Sequence, residues 1–216
     1  LAMGLLKKFV LADSLAMAAL GPQNAAQLQS TGWAWVALYA YSLQIFLDFS
    51  GYTDLAIGLG RLFGIQLPEN FNAPYLKPNL TQFWNNWHMT LTQWFRAYFF
   101  NPLTRSLRSA KPPLAIPWVI LITQLSTMVL IGLWHGVTWN FVLWGVWHGL
   151  GIFVQNRYSD WAKPLAARLE ERPRLKALAQ GGGVLLTFHF VSLGWVWFAL
   201  PTAADALRVF RVLLGL

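Results

Sequence analysis

The sequence predicts an all-α, polytopic integral membrane protein. Its composition is 56% apolar and only 11% charged, whereas about a quarter of the residues of a soluble domain are charged. The stretch from Pro112 to Asn156 contains no Asp, Glu, Lys or Arg. A helix needs roughly 20 apolar residues to cross a bilayer, so this stretch is long enough for two spans joined as a hairpin. The alternative is a buried helix pair in a soluble protein, but 13 Trp and 15 Phe exceed what one small soluble core holds.

The first third of the chain contains two predicted elements. Residues 1–20 are apolar apart from three charges and end at a Gly-Pro pair, so they form either a span or an interfacial helix. A long apolar segment from 31 to 63 is interrupted by Asp48 and Asp54. We expect these aspartates to be structural and to pair with Arg61 or with backbone groups, and the alternative is a role in substrate binding. The glycines of this segment permit a kink or a close helix contact, and they are Gly51, Gly58 and Gly60.

The middle of the chain combines a loop with an amphipathic helix. Residues 67–80 contain three Pro and three Asn, which indicates a loop. Residues 81–100 predict one continuous helix, because large apolar side chains recur at helical spacing while other positions carry amides, Thr or Arg96. That distribution is typical of a helix at the membrane interface or lining a cavity. The recurring apolar residues are Trp84, Trp87, Leu91, Trp94 and Tyr98.

The second half of the sequence predicts three membrane-spanning helices and one connecting segment. The hairpin is expected over 114–134 and 138–156, and the last span over 183–200. Residues 157–177 form a basic amphipathic connector between them. We expect residues 1–216 to be a single membrane domain within a longer polytopic protein, with spans missing at one or both ends.

The net charge of +8 has a topological explanation. Basic residues flank the hairpin on both sides, in the loops 101–113 and 157–180. Because basic loops near span ends prefer the cytoplasm, we place both loops there. A nucleic-acid patch would also raise the pI, but here the basic residues bracket apolar spans, so no nucleic-acid partner is expected. The chain has no Cys, which excludes disulfides and thiolate chemistry within it.

Two histidines lie inside the uncharged hairpin, in "GLWHGVTWNFVLWGVWHG". Ionisable groups in spans are costly and usually functional, and a neutral imidazole is suited to act as a general base. The alternative for His135 is a structural histidine, hydrogen-bonded between helices. The same reasoning applies to His148, whose flanking Gly145 and Gly149 form a helix-packing pair. Spacing alone does not decide which histidine is catalytic.

A third histidine, His88, follows Asn85 and Asn86 in "FWNNWHMT". It is either a site residue or an incidental member of an interfacial aromatic helix. His189 has few polar residues near it in the sequence, and we expect it to have a structural role. No pair of histidines has metal-ligand spacing, so no metal site is predicted.

Three stretches resemble the membrane-bound O-acyltransferase family, most strongly the bacterial branch of alginate O-acetyltransferases and teichoic-acid D-alanyltransferases. They are "QIFLDFSGYTDLAIGLGRLFG", "ENFNAPYLKPNLTQFWNNWHMTLTQWFR" and the hairpin stretch quoted above. The likeness runs from about Lys7 to Trp197 in the same order. One departure is Ala199 in "WVWFAL", where related proteins often carry Arg.

The resemblance implies roles for individual residues. The essential histidine of the family's Trp-His-Gly motif corresponds to His135, and the second polar position of the family corresponds to His88. Asn85, Trp134 and Trp87 are then expected to contact substrate, with Asn85 helping His88 to orient it or to stabilise an oxyanion. His148, Asp48 and Asp54 are expected to be structural.

The resemblance also implies a reaction. A short acyl group, acetyl by preference, would pass from a thioester, acyl-CoA or an acyl-carrier protein, to a hydroxyl of a cell-envelope polysaccharide. No bound cofactor is expected. The expected location is the cytoplasmic (inner) membrane, and the expected partners are membrane lipid and periplasmic or extracellular acetyltransferase proteins. The alternatives are D-alanyl transfer to teichoic acid, a proton-coupled transporter and a non-catalytic scaffold.

Overall fold

A computed structural model describes all residues from 1 to 216, and it is helical without any β-strand. The all-α prediction is therefore confirmed. The α-helices are α1 (Ala2–Leu5), α2 (Asp13–Ala16), α3 (Thr31–Leu62), α4 (Leu80–Asn86), α5 (Met89–Phe95), α6 (Asn101–Arg108), α7 (Ile116–His135), α8 (Trp139–Trp161), α9 (Lys163–Glu170), α10 (Pro173–Ala199) and α11 (Ala203–Leu214). Two segments, Leu6–Ala12 and Arg96–Phe100, have π-helical hydrogen bonding.

The chain divides into two compact units. The first contains residues 1–71 and 192–216, and the second contains residues 72–191. By length and composition, α7 and α10 are the two helices able to cross a membrane. The arrangement of all residues as one membrane domain stays a prediction.

The first unit packs the N-terminal helical segment against α3. The contact is close at Gly4 and Gly51, where a Cβ on Gly4 would lie 2.8 Å from the Gly51 carbonyl oxygen. The expected close helix contact at Gly51 is thus present. Beside it, Lys7 Nζ donates to Asp54 Oδ2 at 2.7 Å, and Lys8 Nζ donates to Asp48 Oδ1 at 2.6 Å.

The expected partner of the two aspartates is therefore wrong. Arg61, in the last turn of α3, lies 3.8 Å from Glu69 instead, and both side chains are exposed. Lysines from the N-terminal segment reach the aspartates because the glycine contact brings the two backbones together. Part-buried carboxylates beside ammonium groups stabilise the packing of the first unit.

The helical hairpin of the second unit is held together by glycines. A Cβ on Gly132 would lie 2.2 Å from the Phe141 carbonyl oxygen, and one on Gly145 would lie 2.6 Å from that of Met128. Such approach is possible only without side chains, so α7 and α8 meet backbone to backbone. The predicted pair of helices is present, but only α7 of the two could cross a membrane by length and composition, so the span over α8 stays a prediction. In addition, α8 continues to Trp161, and α10 already begins at Pro173, inside the predicted connector.

The prediction of a single helix over 81–100 is wrong, because the helix is interrupted at Trp87 and His88. Trp87 is extended, with φ −109° and ψ 125°, and His88 is left-handed, with φ 44° and ψ 54°. Burial explains the break. Trp87 turns inward and stacks on Phe83, with ring centroids 5.4 Å apart, whereas Trp94 after the break is exposed. Helical spacing therefore does not place these aromatic residues on one face.

Candidate active site

His135 is the last residue of α7, at the point where Gly136 leaves the helix. Its ring contacts three aromatic rings, with centroid distances of 4.7 Å to Trp134, 5.8 Å to Trp144 and 6.1 Å to Phe141. Gly136 is required by the turn, since a Cβ there would lie 2.5 Å from the Phe141 ring. The imidazole is exposed at this end of the hairpin and packs against these three aromatic rings.

His88 lies next to His135 on the same end of the second unit. Its ring centroid is 6.2 Å from that of Trp134, whose ring in turn contacts that of His135. Burial lowers the pKa of His88 to about 4, so this ring is neutral at neutral pH. The left-handed backbone at His88 separates α4 from α5. The two histidines predicted from separate motifs thus lie together.

The three predicted substrate-contact residues differ in their surroundings. Trp134 is exposed and contacts the rings of both histidines, as a substrate-contacting side chain would. Asn85 is exposed, and its Oδ1 accepts a hydrogen bond from the Arg96 guanidinium. Trp87 is 5% exposed within an aromatic cluster, which gives its ring a packing role. Substrate contact by each of the three stays a prediction.

His148 lies in an entirely different environment from His135. Its side chain is fully buried, with ring centroids 4.9 Å from Trp144 and 5.0 Å from Trp84. Trp144 contacts both histidines, so an indole ring stands between the exposed imidazole and the buried one. The continuous α8 keeps His148 in the hairpin core, and its structural role stays a prediction.

The remaining candidates lie elsewhere. Nδ1 of His189 is 2.8 Å from the carbonyl oxygen of Leu185, one turn earlier in α10. Asp48 and Asp54 belong to the first unit, where their lysine partners hold them. The contacts given for these three residues do not include His135 or His88.

A cavity of about 260 Å³ runs along the part of α7 that precedes His135. It lies wholly within the second unit, between α4, α5, α7, α8 and the π-helical segment. Half of its lining side chains carry an amide or hydroxyl group, namely Thr81, Asn85, Thr92, Gln124, Thr127 and Asn156. Neither His135 nor His88 lines it, so the cavity and the paired histidines are neighbouring features of one unit.

Sequence reasoning anticipated this cavity only in part. The polar positions of 81–100 indicated a cavity-lining helix, and Asn85, Thr92 and Arg96 do line the cavity. Gln124 and Thr127 were missed as site residues. Their signal was present, because both belong to a short run of polar residues, with Thr123 and Ser126, inside an apolar span.

A helical chain with two helices that could cross a membrane, one of which ends at an exposed histidine, is typical of helical membrane-associated proteins. Residues 13–193 match the membrane-bound O-acyltransferase family. Since this match covers most of the chain, the chain belongs to the membrane-bound O-acyltransferase family.

Individual relatives are similar over nearly the whole chain. A peptidoglycan O-acetyltransferase of Helicobacter pylori is 38% identical over 215 residues, 99% of this chain and 37% of the relative. A probable alginate O-acetylase, AlgI, of Azotobacter vinelandii is 34% identical over 211 residues, 97% of this chain and 38% of the relative. A teichoic acid D-alanyltransferase of Streptococcus thermophilus is 31% identical over 209 residues, 91% of this chain and 49% of the relative. The chain thus spans less than half the length of these relatives.

Proposed function

We propose that the protein is a polytopic membrane O-acyltransferase. It transfers a short acyl group, acetyl by preference, from a thioester to a hydroxyl of a cell-envelope polysaccharide. The observation that carries the proposal is the exposed His135 at the end of α7, whose neighbour Trp134 also contacts the ring of His88. Membership of an acyltransferase family and the names of the relatives support the reaction class.

In the proposed reaction His135 is the general base. It takes the proton of the acceptor hydroxyl while the oxygen attacks the thioester carbonyl. An ester C–O bond forms, the C–S bond breaks, and the leaving thiolate takes up the proton. His88, with Asn85, orients the substrate or stabilises the oxyanion. Direct transfer needs no cysteine nucleophile, which agrees with a chain that has none.

D-alanyl transfer to teichoic acid is the second candidate, supported by the relative in Streptococcus thermophilus. Mass spectrometry of envelope polymers from cells with and without the intact gene tests both. Loss of O-acetyl esters from a polysaccharide on deletion is the expected result. Loss of D-alanyl esters alone supports the second candidate, and unchanged polymers with altered proton-coupled uptake argue for a transporter.

We propose that the protein resides in the cytoplasmic membrane with the basic loops 101–113 and 157–180 on the cytoplasmic side. Single cysteines placed in each loop should therefore react with a permeant maleimide but not with an impermeant one added to whole cells. The chain contains no competing thiol. External labelling of both loops would reverse the orientation.

His88 should tolerate asparagine better than alanine. Position 88 has a left-handed backbone, which asparagine adopts more readily than alanine, and the amide still forms hydrogen bonds. We expect His88→Ala to lower turnover strongly with membrane insertion intact, and His88→Asn to retain more of it. Turnover and the amount of inserted protein are measured together. An equal loss in both variants would make His88 a proton-transfer group, and full activity in both would remove it from the site.

A further inference from the structure

Two residues of the chain other than glycine have a left-handed backbone, and both lie in the second unit. Ala73 has φ 44° and ψ 56°, and His88 has φ 44° and ψ 54°. Residues other than glycine seldom adopt this conformation, and Pro74 additionally favours an extended backbone at Ala73. Strained residues persist only where neighbouring contacts hold them, and they are frequent at functional sites. The contacts that hold the backbone at His88 therefore bear on what this side chain does.

A backbone hydrogen bond joins the chain beside Ala73 to the chain beside His88. The N–H of Asn72 donates to the carbonyl oxygen of Asn86, and the two atoms are 3.1 Å apart. Asn86 is the last residue of α4, where carbonyl groups have no partner within the helix. The bond therefore fixes the end of α4, two residues before His88, to a segment that lies outside both α4 and α5.

The ring of Tyr75 packs against Trp87, the residue immediately before His88. The ring centroid of Tyr75 is 5.7 Å from that of Trp87 and 5.8 Å from that of Phe83. It is also 5.1 Å from the ring centroid of Phe188 in α10. Trp87 and Phe83 are both buried, so the indole has little room to move away from Tyr75. Trp87 is thereby held on the side of the chain that does not carry α5.

We propose that residues 72–76, which we call the support segment, position His88 for the reaction, with Tyr75 as the positioning side chain. The inference rests on the proposed role of His88 in acyl transfer. The support segment fixes Asn86 through a hydrogen bond and Trp87 through ring packing. The backbone at His88 is then held in its left-handed conformation, which keeps the imidazole beside Trp134. Tyr75 acts through Trp87 and does not contact substrate.

The first test replaces the Tyr75 ring in the full-length protein. Tyr75→Leu should lower kcat by about 10- to 100-fold with KM unchanged, because a small displacement of a site residue slows the reaction strongly. Tyr75→Phe keeps the ring and should retain the wild-type kcat. Tyr158→Leu is the matched control, because Tyr158 is an exposed tyrosine of α8 whose ring contacts Trp161. It should change neither value. A loss in Tyr75→Phe as large as that in Tyr75→Leu would overturn the proposal.

A double-mutant cycle separates positioning from packing. If Tyr75 acts through His88, the two substitutions are coupled and their effects on kcat do not add. Tyr75→Leu should therefore cause no further loss of kcat in a His88→Ala protein, because the side chain that it positions is gone. A further loss equal to that in the wild-type background would overturn the proposal and leave Tyr75 with a packing role.

A second pair of variants tests the support segment without changing its ring packing. Ala73 is exposed, so a substitution there leaves the aromatic rings in place. Glycine adopts the left-handed conformation readily, whereas a β-branched residue does not. Ala73→Gly should therefore keep the wild-type kcat, and Ala73→Val should lower it with KM unchanged. Equal values of kcat for these two variants would overturn the proposal, whether or not Tyr75→Leu folds.

The reactivity of His88 towards diethyl pyrocarbonate reports its position without any turnover. Mass spectrometry of the modified peptides gives the rate for His88, with His135 on α7 as the internal reference. Tyr75→Leu should change the ratio of the two rates, and Tyr75→Phe should not. An unchanged ratio in Tyr75→Leu would overturn the proposal. A changed ratio in a protein whose wild type transfers no acyl group would support positioning and reject the proposed function alone.

Discussion

Replacing His135 by alanine should lower the turnover of acyl transfer by about 10²- to 10⁴-fold, the usual contribution of general acid–base catalysis. The imidazole is exposed at the last residue of α7, so its removal leaves no buried cavity. Expression and thermal stability should therefore stay at the wild-type level. Turnover of the purified full-length protein, with the melting temperature measured on the same sample, checks this expectation.

His148→Gln is the matched control for this experiment. His148 is fully buried between Trp84 and Trp144, and glutamine keeps a polar side chain there. We expect a lower melting temperature or a modest loss of activity. If His148→Gln abolishes turnover while His135→Ala leaves it nearly intact, the two histidines have been assigned the wrong way round.

Replacing Gly132 by alanine should cause the largest loss of stability among single methyl additions in the hairpin. The new Cβ would lie 2.2 Å from the Phe141 carbonyl oxygen, so the two helices must separate. Overpacking of this kind typically costs about 1–3 kcal/mol, and backbone atoms yield less than a flexible side chain does. The expected result is a lower melting temperature of the purified protein. Turnover should fall as well, because the Phe141 ring packs against His135 and a shift of Phe141 would displace the imidazole.

Gly181→Ala in α10 is the control for this substitution. No atom lies within 4 Å of the position that its Cβ would occupy. Alanine also has the higher helix propensity, so the melting temperature should stay unchanged or rise slightly. A Gly132→Ala protein as stable as wild type would contradict the close packing of α7 on α8.

The positions of the long helices could be predicted from the sequence, because the hydropathy pattern that indicates a helix depends only on residues close together in the chain. Hydropathy placed a helix over 31–63, where the structure has Thr31–Leu62, and the hairpin over residues where α7 and α8 are found. Glycine spacing likewise indicated the close helix contacts. These properties depend on neighbours in the chain and on the solvent, and both can be read from one sequence.

Features that depend on distant contacts were not predictable in the same way. The break at Trp87 and His88 arises because Trp87 is buried against Phe83 and Tyr75, although the spacing of apolar residues continues through it. The lysine partners of Asp48 and Asp54 lie 40 and 47 residues away. His135 and His88 were brought together by resemblance to a family, because no local pattern joins two motifs so far apart.

The glycine contacts of the hairpin have a mechanical consequence. Because α7 and α8 touch through their backbones, neither can slide or rotate past the other without collision. We therefore expect the hairpin to stay rigid and any widening of the cavity to come from movement of the short helices α4 and α5. The left-handed residue between them is the natural pivot, and it is His88 itself. If α5 moves about this residue, opening of the cavity also displaces the His88 ring, and a probe on α5 should report both changes.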